Sequence, residues 1–242
     1  MAINSLLFFI NSGTEFFKIP KSLEIYGSFS LSENQIGEGF QALEHVMGET
    51  LDQIERAHNQ TSTVSGVDTG FPDLNDQTAG LQGGDLIILA ARPSVGKTAF
   101  ALSIARNAAM SGIENAQSKG VAIFSLEMSK TQLAQRLLSA ETRVDLHKLR
   151  TGRLHEDDWL RITKTVGRIA QAPIYIDDTP SISVLEARAK ARRLKRENGL
   201  GLVIVDYLQL MSSHSRAQSR EQEISMISRG LKALSKELDV PV

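Results

Sequence analysis

Residues 85–100, D-L-I-I-L-A-A-R-P-S-V-G-K-T-A-F, decide the fold. An apolar run at 86–90 leads into a short turn. Gly96, Lys97 and Thr98 then open a run of helix formers, A-F-A-L-S-I-A-R. A strand that turns tightly into a helix leaves the helix's first backbone N–H groups without partners. They face whatever lies ahead of the helix, and the macrodipole favours an anion there. The segment reads as a phosphate cradle made of Ala91, Arg92, Pro93, Ser94, Val95, Gly96, Lys97, Thr98 and Ala99. In such a cradle Lys97 reaches the β- and γ-phosphates of a nucleotide, and the Thr98 hydroxyl holds Mg²⁺. The strict pattern has glycine where Ala91 stands. The competing reading is an ordinary strand–turn–helix with a solvated lysine.

Composition narrows the class. The chain has 242 residues, 41% of them hydrophobic and 23% charged, which suits one α/β domain with an appendage. The net charge of −1 announces no polyanion partner, so any nucleic-acid surface must be local. The absence of Cys excludes disulfides and thiolate metal sites. The five His have no metal-ligand spacing, and no zinc site is assigned. The apolar start M-A-I-N-S-L-L-F-F-I is too short to span a bilayer and lacks the basic flank of a signal peptide. A cytoplasmic protein without a membrane span is expected.

Residues 1–40 show no clear period and are expected to form a poorly ordered leader. Residues 41–57 read as a helix, because Leu43, Val46, Met47, Leu51 and Ile54 repeat at helical spacing. Its stripe packs either on its own domain or on a neighbouring subunit. With the polar stretch that follows, 41–65 forms a linker helix and linker. From 66 to 242 strands alternate with helices, the mark of a parallel sheet covered on both faces. Strands are expected at 86–90, 121–126, 174–177 and 202–206. Helices are expected at about 97–111, 130–142, 156–171, 182–197 and 221–238, with stops at Gly112 and Gly199.

Two acidic residues close apolar strands. Asp206 ends the strand of G-L-V-I-V-D-Y, where open α/β sheets bind ligands. There it helps to hold Mg²⁺. Tyr207, not a second acid, follows it, so a general base must come from elsewhere. Glu127 lies just past 121–126, ahead of a helix that Ser129 can cap. It is either the group that orients a lytic water or a solvated carboxylate at a loop start.

A-A-R-P-S-V-G-K-T-A, F-S-L-E-M-S and V-I-V-D-Y-L-Q-L-M, in this order, resemble the ATPase motor of bacterial replicative DNA helicases of the DnaB type. G-V-D-T-G-F-P-D-L-N at 66–75, R-V-D-L-H-K-L-R-T-G-R-L at 143–154 and the stretch 227–242 extend the resemblance over about 44–242. Alanine at position 91 is normal in that family. The resemblance implies a RecA-like P-loop NTPase core that forms a homo-hexameric ring, hydrolyses ATP with Mg²⁺ and translocates on single-stranded DNA. It assigns phosphate binding to Lys97, metal contacts to Thr98 and Asp206, and catalysis to Glu127. It makes 41–57 a helix that docks on the next protomer, and it implies a primase and a helicase loader as partners of the full-length protein.

DNA contacts in that family come from channel loops. The segment 211–222, with Arg216 and Arg220, fits such a loop. The richer basic run at 188–196 reads as a solvated helix face. Two family features have no counterpart: the N-terminal helical domain, and the strand that begins at 240–242 and leads to a sensor residue and a basic finger. That strand lies between the cradle strand and the Asp206 strand. Its absence implies a gap, a weakened core, and a fragment with weak or no activity. The other readings are a RecA- or KaiC-like oligomeric ATPase, and a nucleotide-binding but inactive interaction protein.

Overall fold

The computed structural model describes residues 7–10, 40, 42–59, 64–115, 120–212 and 219–242. The chain divides into two units, Met1–Ser12 with Val64–Val242, and Gly13–Thr63. In the smaller unit the described residues form helix α1 (Leu43–Asn59). Its stripe residues Leu43, Val46, Met47, Leu51 and Ile54 are all exposed.

The larger unit holds the remaining elements. They are β1 (Leu7–Ile10), α2 (Pro72–Thr78), β2 (Ile87–Ala90), α3 (Lys97–Asn115), β3 (Val121–Ser125), α4 (Lys130–Thr142) and α5 (Leu146–Thr151). There follow α6 (Glu156–Gln171), β4 (Ile174–Asp177), α7 (Val184–Asn198), β5 (Leu202–Asp206), a 3₁₀ turn (Leu208–Leu210) and α8 (Arg220–Leu238). The expected strands and long helices all appear within a few residues of their predicted bounds. Gly112 does not stop α3, which runs on to Asn115. A glycine inside a helix costs only about 1 kcal/mol, which a packed helix absorbs. Gly199, with φ +74°, does end α7.

β1 falls within the expected leader. Leu7–Ile10 pairs antiparallel with β2, Leu7 opposite Ala90 and Ile10 opposite Ile87. An apolar L-F-F-I run suits a strand, and β2 supplies the backbone partners that the run cannot find alone. Most of the rest of 1–40 lies outside the described residues.

The three-stranded sheet is parallel, in the order β4-β3-β5. Val121 stands opposite Ile174 and Leu202, and Ser125 opposite Asp206. All five residues of β3 are buried, as the central strand of a two-sided sheet requires. Alternate side chains feed two cores. Ala122, Phe124 and Val203 pack with Ala187 and Ala191 of α7 and with Ile227, Leu231, Leu234 and Leu238 of α8. Val121, Ile123 and Leu202 pack with Leu102, Ala105 and Ala109 of α3 and with Leu133 and Leu137 of α4. Side chains close the helix starts: Ser129, Asp145, Ser183 and Ser219 accept backbone N–H bonds at α4, α5, α7 and α8.

β2 is not hydrogen-bonded to β5. Residues 241 and 242 lie between them: Ile87 N–H donates to the Val242 carbonyl, Val242 N–H to that of Asp85, and Val203 N–H to that of Pro241. A cavity of about 310 Å³ continues from Val242, lined by residues 87–91 and 202–206.

The loop between α5 and α6 is fixed by a buried carboxylate. Asp158, 3% exposed at its side chain, accepts from Lys148, Arg161 and the His155 backbone N–H. The His155 N–H bond, together with the two cations, outweighs burial and holds its pKa below the ordinary 3.8. A lowered folded pKa contributes stability that is complete above the unfolded value and is lost as pH falls through the folded one. Asp158→Asn is therefore expected to lower Tm at neutral pH. The difference from wild type should shrink steadily below about pH 4, as thermal melts across pH 2–7 would show. A difference that does not change with pH would disprove the assignment.

Candidate nucleotide site

The cradle is built where β2 meets α3. The loop from Ala91 to Gly96 turns through two left-handed residues, Ser94 at φ +66° and Gly96 at φ +108°. No atom lies within 4 Å of a Cβ built at Gly96, so its glycine answers to conformation and not to space. Phe100 N–H donates to the Gly96 carbonyl, which closes the first turn of α3. The N–H groups of Lys97, Thr98 and Ala99 then head the helix without intrahelical acceptors. Arg92, Pro93, Ser94 and Val95 are exposed.

Asp206, the last residue of β5, reaches this turn. The Thr98 hydroxyl donates to Asp206 Oδ2 at 2.7 Å. Lys97 Nζ sits 5.6 Å from the ring centroid of Tyr207, within cation–π range. Lys97 and Thr98 of the expected cradle and the strand-end residues Asp206 and Tyr207, separate in sequence, thus come together here.

Glu127 is exposed. The register places it: Ser125 lies opposite Asp206, and Leu126 N–H donates to the Asp206 carbonyl at 2.8 Å. Glu127 is the next residue. Ser125 Oγ donates to the Met128 carbonyl at 2.7 Å and staples the turn that carries Glu127. Asp178, just past β4, accepts from Lys130 N–H at 3.0 Å and fixes the start of α4 behind that turn. The Lys130 backbone bond is the main cause that lowers the Asp178 pKa. Sequence reasoning missed both: the Ser125 bond is local but marked by no recognised motif, and Asp178 acts on a residue 48 positions away.

The basic residues divide. Arg220 opens α8, with its guanidinium engaged by Glu223 and by the Gln209 carbonyl, and remains about half exposed. Arg216 lies outside the described residues. The 188–196 run is not simply solvated. Arg188 and Arg192 pair with Glu237, Lys190 with Asp177 and Glu186, and Lys195 with the Leu238 carbonyl. These bonds clamp α7 to α8 and β4. The polar G-V-D-T-G-F-P-D-L-N segment also proves structural. Thr69 and Asn75 are buried and bonded to each other, and Asn107 of α3 donates to the Thr69 carbonyl.

The chain is similar to known proteins. Residues 66–242 match the family model described as DnaB-like helicase C terminal domain. The chain is 50% identical over 213 residues to the replicative DNA helicase DnaB of Geobacillus stearothermophilus, covering 88% of this chain and 46% of that protein. It is 52% identical over 204 residues to the replicative DNA helicase DnaC of Bacillus subtilis (strain 168), covering 84% and 44%. The chain spans about half the length of these curated relatives. Among solved structures, an ATPase domain superposes with a TM-score of 0.75 at 33% identity, over 84% of this chain and 70% of that one. A DnaB-like replicative helicase, reported with its interactions with primase, superposes with a TM-score of 0.70 at 32% identity, over 86% and 48%. The fold is the RecA-like one of these ATPase domains.

Removing the hydroxyl that joins the two strand ends should be measurable without any ligand. Thr98→Val is expected to cost about 1 kcal/mol. Asp206→Ala should cost a similar amount, and the double variant less than their sum. Urea melts of the four proteins measure this, and strictly additive losses would show that the two side chains do not interact.

Proposed function

The chain belongs to the DnaB-like helicase C-terminal domain family, and from this we propose that it is the ATP-hydrolysing motor segment of a replicative DNA helicase. The observation that carries the reading is the Thr98–Asp206 hydrogen bond at the head of α3, with Glu127 on the adjoining strand end. A hydroxyl and a carboxylate brought to 2.7 Å beside a helix N-terminus form a hard-oxygen pair suited to Mg²⁺, so the residues present fit that ion. Thr98 and Asp206 would hold it, and when bound it supplies charge neutralisation on a triphosphate.

The chain's own groups do the rest. The N–H groups at the head of α3 and the Lys97 ammonium bind the β- and γ-phosphates. Glu127, on its stapled turn, accepts a proton from the attacking water and aims it. Hydrolysis drives movement along single-stranded DNA within a homo-hexamer. The exposed stripe of α1 docks on a neighbouring copy, and Arg220 contributes a phosphate contact to the DNA path. Primase and a loader are partners of the assembled helicase, which acts in the cytoplasm. In support of a protein that works in solution, no described helix is long and apolar enough to cross a membrane.

ATPase rates with and without single-stranded DNA test the reading. DNA is expected to stimulate turnover. Lys97→Ala should weaken nucleotide binding and abolish turnover. Glu127→Gln should retain nucleotide and lose about 10²–10⁴-fold in turnover. Arg220→Ala should weaken DNA binding without altering basal turnover and reduce the salt slope of binding by about one. A protein that binds nucleotide yet ignores DNA, with turnover unaffected by Glu127→Gln, would be a binding module and not a motor.

A further inference from the structure

Two charges of opposite sign stand side by side at the cradle, Lys97 on α3 and Asp206 on β5, and they do not pair. Asp206 is taken by Thr98. Lys97 Nζ lies over the Tyr207 ring, 5.6 Å from its centroid, and among the described residues no carboxylate pairs with it. We propose that Tyr207 is a positioning residue: its ring steadies the Lys97 ammonium at the mouth of the cradle and keeps it off Asp206. The inference rests on reading this cradle as a nucleotide site.

The physical case concerns what each partner leaves available. A Lys97–Asp206 ion pair would cancel both the cation that a phosphate needs and the anion that a metal needs. Charge-assisted bonds are about twice as strong as neutral ones, and a triphosphate would have to break this one on binding. An aromatic face attracts the ammonium from one side only. The three N–H donors stay free to turn towards phosphate oxygens. The contact orders the four-carbon Lys97 stem, whose freedom would otherwise be lost on binding. A phosphate would approach the ammonium on the side that the ring leaves open. The phenol hydroxyl has no part in this, since the attraction comes from the ring. Position 207 is where the sequence offers an aromatic residue in place of a second acid, and both Lys97 and Tyr207 line the cavity beside β5.

Titration of the whole chain with a non-hydrolysable Mg–ATP analogue tests this. Tyr207→Leu is expected to bind about fivefold more weakly than wild type, and Tyr207→Phe to restore the loss. Tyr207→Glu should bind more weakly than Tyr207→Leu, because a carboxylate there captures Lys97. In a Lys97→Met background Tyr207→Leu should cause no further loss, which a general structural defect would not reproduce. Circular dichroism checks that each variant is folded. If Tyr207→Leu is not, Tyr207→Gln takes its place in the comparison. The proposal is overturned if the ring-less variant binds like wild type, if Tyr207→Phe fails to restore affinity, or if the loss adds in full to that of Lys97→Met. Failure of wild type to bind the analogue at all would instead overturn the nucleotide reading, and this inference with it.

Discussion

The hydrogen bond from Thr98 to Asp206 joins residues 108 positions apart, and the site depends on it. It forms only if three things hold together. β2 must deliver the cradle loop at the correct height. β5 must end at that height. α3 must begin within one turn of both. Parallel ladders set where β3 and β5 end relative to each other, while residues 241 and 242 tie β2 to β5 through backbone bonds. The β3–β5 ladder sets Ser125 beside Asp206 and so puts Glu127 next to the pair. A one-residue slip of β5 against β3 would turn Asp206 to the opposite face and dismantle all of it.

Charge is handled locally throughout this chain. At the site, Thr98 occupies the anion and Tyr207 the cation, so that opposite charges coexist without cancelling. Away from the site the opposite policy holds. Glu237 takes two arginines of α7, Asp158 takes Lys148 and Arg161, and Glu141 takes Arg106 and Arg168. Each of these acids ties separate segments of chain together. Half-exposed pairs contribute little energy individually. Their effect is to hold basic side chains of α3, α5, α6 and α7 against acids of neighbouring elements.

A cavity separates β2 from β5. Strand edges are normally paired or covered, and among the described residues 241 and 242 bridge these two strands through backbone bonds with Asp85, Ile87 and Val203.

Much of this was legible in the chain itself. The strands follow from short apolar runs and α1 from helical spacing, and the cradle from one strand–turn–helix run with Gly96, Lys97 and Thr98 in fixed order. Caps such as Ser129 were readable because they act within three residues. What sequence left open was every relation across distance. It could not show that Leu7–Ile10 pairs with β2, that the basic run on α7 is spent on Glu237, or that Thr69 and Asn75 are buried partners. Nor could it show that Tyr207 faces Lys97, because local pattern records what a residue tends to do along the chain. Which residue stands opposite is decided only when the strands choose their register and the helices close over them.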